Sequence, residues 1–219
     1  MKFSFLIFSA VLLSSSALKA AVIYNNLTGT PSASVTNGQP LNDVGAAVAF
    51  TPTGNSYFLN SVQFTASLFD LSSTNSVIVS VETDAGGLPS GTVLESFTLT
   101  NKIGVLGVTP NLLDAVSVVD PVLFQNYQYW VVLTETSGSG PGDLVWNYNN
   151  STPNTYGLTA VYQYNNFDQA YEWVSQGTTN YLAGALLVTG TIDPIPEPGT
   201  LLTLASGLAA VVAVKRRRA

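Results

Sequence analysis

The stretch NSVQFTASLF, residues 60–69, alternates apolar Val62, Phe64, Ala66 and Leu68 with polar Ser61, Gln63, Thr65 and Ser67. A period of two sends successive side chains to opposite faces of a pleated strand, so the segment reads as a half-buried antiparallel β-strand. Downstream, SVIVSVET (76–83) and GTVLESFTLT (91–100) flank DAGGLPSG (84–91). Asp84, Gly86, Gly87, Pro89 and Gly91 supply the backbone conformations of a chain reversal, which predicts a hairpin with a long loop. YQYWVVLTE (127–135) and YLAGALLVTGT (181–191) are apolar on both parities, as central strands covered on each face should be. Upstream, AAVAFT (46–51) before Pro52 reads as another short strand. No segment between Val22 and Ile192 has helical periodicity. About ten short strands broken by Gly, Asn, Ser and Pro clusters predict an all-β body, a two-sheet antiparallel sandwich of jelly-roll type.

Charge limits what such a body can bind. The 219 residues are 46% hydrophobic and 9% charged, which suits a packed core. Between Val22 and Asp193 twelve carboxylates face the single cation Lys102, a formal charge of −11. Phosphate backbones are held by Lys and Arg, so nucleic acid is excluded as a partner. Cysteine and histidine are absent, which removes disulfides, thiol nucleophiles, imidazole bases and every His or Cys metal site. The reading is therefore non-enzymatic, with no cofactor and no metal.

The remaining cations sit at the ends. MKFSFLIFSAVLLSSSALKA has one early lysine, an apolar run from Phe3 to Leu13 and small residues after it, the proportions of a secretory signal peptide. Residues 1–21 are assigned to this signal helix, with cleavage after Ala17 or Ala20, and the secretion translocon is the implied partner. At the other end, Gly199 to Val214 is a run of sixteen uncharged residues. As a helix it would be about 24 Å long against a hydrocarbon core of about 30 Å, just enough to span. Lys215, Arg216, Arg217 and Arg218 favour the cytoplasmic side, which predicts a single transmembrane helix over 199–214, body outside and carboxyl terminus inside. Pro194, Pro196 and Pro198 disconnect the run from the body, so the domains divide as 1–21, 22–192 and 193–219.

Pro196-Glu197-Pro198, a marginal apolar helix and a terminal basic cluster, in that order, resemble the PEP-CTERM sorting signal of exported bacterial proteins. The resemblance covers about the last 25 residues. It implies that Pro196, Glu197 and Pro198 are read by an exosortase-type membrane protease, with Lys215 to Arg218 as the stop on the inner face. It also implies a mature form in the cell envelope or extracellular matrix. The body, through AFTPTGNSYFLNSVQFTAS, VETDAGGLPSGTVL, YWVVLTE and VWNYNN, is similar to the sandwich domains called choice-of-anchor domains. That similarity rests on strand and turn chemistry and implies the fold alone.

Within the body, twelve aromatic residues fall between Phe124 and Trp173. Aromatic faces stack on sugar rings, and Asn147, Asn149, Asn150, Asn154, Asn165 and Asn166 could bond hydroxyls, so an exopolysaccharide-binding module is the alternative function. Trp146, Tyr148 and Trp173 are its candidate ligand contacts. The plainer account is that aromatics fill sandwich cores and asparagines occupy turns. Glycosidase chemistry needs two carboxylates held close together. Asp168 with Glu172 would lie about 13 Å apart on a strand, and Glu135 with Asp143 could only flank a loop mouth. Asp84 lacks the Asp/Asn alternation of a calcium loop. Thr28, Thr30, Thr178 and Thr179 lack the regular spacing that ice binding needs. The sequence thus points to an exported structural or adhesive protein of an extracellular polysaccharide matrix.

Overall fold

The computed structural model describes residues 20–27, 39–40, 45–68, 75–105, 111–136, 144–147, 158–165, 167, 169–177 and 183–193. The expected signal helix, the 199–214 helix and the sorting residues Pro196, Glu197, Pro198 and Lys215 to Arg218 lie outside them.

Fourteen strands are described. They are β1 (Ala21–Asn25), β2 (Gln39–Pro40), β3 (Gly45–Phe50), β4 (Tyr57–Leu68), β5 (Ser76–Asp84), β6 (Pro89–Thr100) and β7 (Gly104–Val105), followed by β8 (Leu112–Val116), β9 (Val122–Leu123), β10 (Tyr129–Glu135), β11 (Leu144–Trp146), β12 (Thr159–Asn165), β13 (Ala170–Gly177) and β14 (Leu186–Ile192). One sheet runs β1-β14-β4-β11-β2, with β7, β8 and β9 on the far side of β4; the other runs β13-β12-β3-β10-β5-β6. All pairings are antiparallel except the short β4–β7 contact. The all-β, two-sheet expectation holds.

The alternation that announced β4 turns Val62, Phe64, Ala66 and Leu68 to the core, but the strand is half-buried only as far as Gln63, because Thr65 and Ser67 on its other face are buried as well. Leu59 faces in as well, because the β4–β14 register slips between Thr189 and Gly190. A bulge of this kind changes the phase of the pleat, so Leu59 and Val62, three apart, share one face. Ser61 and Thr189, paired across the strands, bond hydroxyl to hydroxyl at 2.9 Å.

Central position explains the continuous apolar runs. β10 lies between β3 and β5 and is buried on both faces from Tyr129 to Leu133. Tyr129, Val131 and Leu133 join the core between the sheets; Trp130 and Val132 join Ala47, Ala49 and Ala160 in a second cluster on the outer face. β14 departs from the expectation. Leu186, Val188 and Gly190 are buried, but Leu187, Thr189 and Thr191 are only half-covered. The predicted long hairpin loop also shrinks, since Pro89 already pairs with Asp84 and only residues 85–88 turn. Gly86 and Gly87 adopt left-handed φ, and Ala85 N–H donates to the Leu88 carbonyl at 2.8 Å.

Two side chains join distant parts of the chain. Asn26, buried, donates Nδ2 to the Gly184 carbonyl at 3.0 Å and accepts Leu186 N–H on Oδ1 at 2.6 Å, so its amide continues the β1–β14 ladder. Glu95 on β6 accepts Ser117 Oγ at 2.5 Å, Val118 N–H at 2.8 Å and Val119 N–H at 3.0 Å, clasping one sheet's edge to the loop after β8 in the other. Asn26 heads a glycosylation-type triplet, yet its amide is spent inside the fold.

Gly184 is required by its neighbour. A Cβ there would enter the Trp146 indole, which is walled by Phe64 at 6.5 Å and fixed by Nε1–H donating to the Ala185 carbonyl at 3.2 Å. A buried ring so held has nowhere to retreat. Gly184→Ala should therefore lower unfolding free energy by about 1–3 kcal/mol, measured by urea titration; an unchanged midpoint would contradict the packing described.

Candidate functional site

The site is best built from where the chain leaves the body. At the start of β4, Tyr57 pairs with Ile192 of β14 on one side and with Leu123 of β9 on the other. Ser56, one residue earlier, accepts Asp193 N–H on its carbonyl at 2.9 Å and Gln125 N–H on its Oγ at 3.1 Å. The last residue before the Pro-Ile-Pro-Glu-Pro segment and the turn after β9 are thus held by one residue. β1 enters at the same end, with Ala21 paired to Gly190.

The turn after β9 carries two exposed rings. Phe124 and Tyr127 are 55% and 66% exposed, with centroids 6.1 Å apart and planes at 61°. Their backbone is nevertheless fixed. Tyr127 N–H donates to the Phe124 carbonyl at 3.3 Å, Asn126 N–H to the Pro52 carbonyl at 2.9 Å, and Phe124 N–H to the Tyr129 hydroxyl at 2.8 Å. Asn126 has φ 64°, at a turn position that selects Gly or Asn. Burial raises the Tyr129 phenol above its ordinary pKa, opposed by the Phe124 N–H and aided by the nearby Tyr127. The phenol therefore stays neutral, and its oxygen is available to that bond.

Beside the turn lies a cleft of about 390 Å³ between the β5–β6 hairpin and the 124–127 turn, with Leu94, Val122 and Tyr129 among its lining. Asp84 organises both walls. Its Oδ1 accepts Gln128 Nε2 at 2.7 Å and Trp130 Nε1 at 2.8 Å, and its Oδ2 accepts Gly87 N–H at 3.1 Å. Burial alone would raise this carboxyl, but the Trp130 indole, Gly87, Gln128 and Gly86 donors together hold it below the usual value. The carboxylate is thus occupied by N–H groups and holds the hairpin rather than a cation.

The ring contacts proposed from sequence separate. Trp146 is a correction: it is 1% exposed, packed in the core against Phe64, because β11 pairs into the middle of its sheet between β4 and β2. No ligand can stack on it. Tyr148 lies outside the described residues. Trp173 is half-buried on the outer face of β13, directly across from Tyr162 at 5.1 Å, and Tyr162 stacks on Tyr171 at 5.7 Å and 23°. Trp173 also lies 3.5 Å from where a Gly45 Cβ would stand. Tyr162, stacked on Tyr171 and tilted at 46° against Trp173, ties the two strands together, so this row pins the edge hairpin, although Tyr171 stays exposed. Phe124 and Tyr127 are the more open pair. They belong to the aromatic-rich segment, but nothing in FQNYQ marks them as exposed without knowing that β9 ends at Leu123.

Each carboxylate pair weighed for catalysis has one described member. Glu135 accepts Leu144 N–H at 2.8 Å and Glu172 accepts Asn165 Nδ2 at 2.7 Å, while Asp143 and Asp168 lie outside the described residues. The buried Glu82 accepts Ser80 Oγ at 2.9 Å and Gly91 N–H at 3.0 Å. Each described carboxylate in this set has a structural hydrogen bond.

Asp84 yields a sharp test. Asp84→Ala leaves the Trp130 Nε1–H, on a fully buried residue, without its acceptor, and should cost about 1–3 kcal/mol of stability. Because the folded pKa lies below the unfolded one, the charge contributes fully above the ordinary carboxylate range, and its contribution is lost as pH falls through and below that range. The stability gap between wild type and Asp84→Asn should therefore be constant near neutrality and shrink in acid; a gap that widens in acid would refute the assignment.

No curated protein matches the chain. Residues 194–218 match the family model of the PEP-CTERM protein-sorting motif. The match starts two residues after Ile192, the end of the last strand, and leaves the sandwich outside it. PEP-CTERM signals mark exported proteins, held at the membrane as precursors and processed by exosortase, a membrane protein. The chain is therefore an exported β-sandwich protein carrying a PEP-CTERM signal for sorting by exosortase.

Proposed function

We propose that the sandwich body is a non-enzymatic structural or adhesive element of the cell envelope or extracellular polysaccharide matrix. The secretion translocon exports it behind the residue 1–21 signal, and it pauses as a single-pass precursor with the body outside and the basic tail in the cytoplasm. Exosortase then acts near Pro196-Glu197-Pro198. The observation that carries this reading is the join itself: Asp193 N–H is fixed on Ser56, and the sorting motif follows at residue 194. A cut in that motif severs no strand of the described body.

Polysaccharide recognition through Trp146, Tyr148 and Trp173 has less support, since one ring is in the core and another is half-buried, packed at 46° against Tyr162 within the edge hairpin. A body of charge −11 also suits a hydrated matrix component that stays soluble at high concentration.

Mass spectrometry of the mature protein from cells with and without the protease tests the reading. Truncation near residues 196–198 is expected only when the protease is present, and Glu197→Ala with Pro198→Ala should leave most chains intact. An intact carboxyl terminus in both strains would overturn it.

A further inference from the structure

Four of the eleven large apolar residues exposed among the described residues lie where the chain leaves the body. Val22, 59% exposed, lies on β1 beside the end of β14; Ile192 is exposed at that end; Phe124 and Tyr127 stand on the turn that Ser56 ties to Asp193. Strand spacing of about 4.8 Å puts Ile192 and Leu123, on either side of Tyr57, about 10 Å apart. The six residues Asp193 to Pro198 span at most about 20 Å in any conformation before the apolar run begins. Whatever anchors that run holds this end of the body close to the bilayer.

We propose that this end is a lipid-facing surface: in the anchored precursor, Phe124 and Tyr127, flanked by Val22 and Ile192, rest in the membrane interface and orient the body over the sorting segment. The inference builds on the membrane-anchored precursor. Three observations select lipid as the occupant. The rings are a phenyl and an amphipathic phenol on a backbone fixed by hydrogen bonds, the combination that settles at headgroup level. Three polar groups of the adjoining cleft are already spent on the fold: Asp84 accepts N–H donors, Thr83 is bonded to Ser90 at 2.7 Å, and the Tyr129 oxygen holds Phe124 N–H. The body's one cation, Lys102, follows the end of β6, which pairs with Ser76 at the pole opposite Asp84. Contact therefore comes from the rings, against the repulsion an acidic body meets at anionic lipid. Such contact is weak. It is sustained by the local concentration a short tether imposes, and it lapses once the tether is cut.

The chain has no cysteine, so single labels can be placed at will. Full chain with Gln125→Cys or Phe167→Cys, both exposed and at opposite ends, is labelled with a fluorophore and reconstituted in phosphatidylcholine vesicles containing brominated lipid. Quenching at 125 should exceed that at 167 severalfold and fall to the same level when Phe124→Ser and Tyr127→Ser are added, with the thermal midpoint unchanged. Equal quenching at the two positions, or persistence in the double variant, would overturn the proposal. So would a response at 125 to neutral oligosaccharides in place of brominated lipid, or one that needs added exosortase. Flotation separates the two levels: a chain that floats with equal quenching defeats this inference alone, whereas a chain that does not float defeats the anchored precursor too.

Discussion

Ser56 and Tyr57 hold together segments from three distant parts of the chain. Tyr57 is the middle rung between β9 and β14, and Ser56 takes a backbone N–H from beyond each of them. Backbone donors at a sheet's end must find acceptors or water, and here the acceptor is shared. As a result the segment leading to the sorting motif departs from a fixed point, and the aromatic turn has a fixed place beside it.

The acidic composition acquires a structural meaning in the same frame. Glu95 clasps two sheets, Glu82 holds the bulge at Gly91, and Asp84 satisfies a buried indole. Each spends its oxygens on N–H or O–H donors rather than on cations, in keeping with a body that has a single lysine. Carboxylate bonds to neutral donors of this kind are stronger than neutral pairs and need no counter-charge. The formal charge of −11 therefore overstates how much of that acidity is free at the surface.

Much of the fold was legible because period-two patterning is a direct consequence of the pleat. Val62, Phe64, Ala66 and Leu68 declared their burial in this way, and Tyr129 to Leu133 did so by being apolar on both parities, as a strand covered on each face is. The sorting segment was legible for another reason: proline, an uncharged run and terminal cations each act locally. What escaped reading depends on tertiary neighbours. Residue type leaves Trp146 open between a core ring and a ligand contact, and its burial follows from the insertion of β11 between β4 and β2. The hairpin loop seemed long because the hydrogen bonds of Asp84 and the bulge at Gly91 have no signature in DAGGLPSG. The exposure of Phe124 and Tyr127 depends on where β9 stops, which residue types alone do not say.

The pairing of Ala21 with Gly190 brings the two ends of the sandwich side by side. A domain wired in this way behaves as a cassette: fused to a carrier through its first strand or through its last, it would display the same pole outward. That outward pole is the β12–β13 tip at Phe167, which is 98% exposed. Epitopes or enzymes grafted there would keep their outlook whichever end was chosen for attachment.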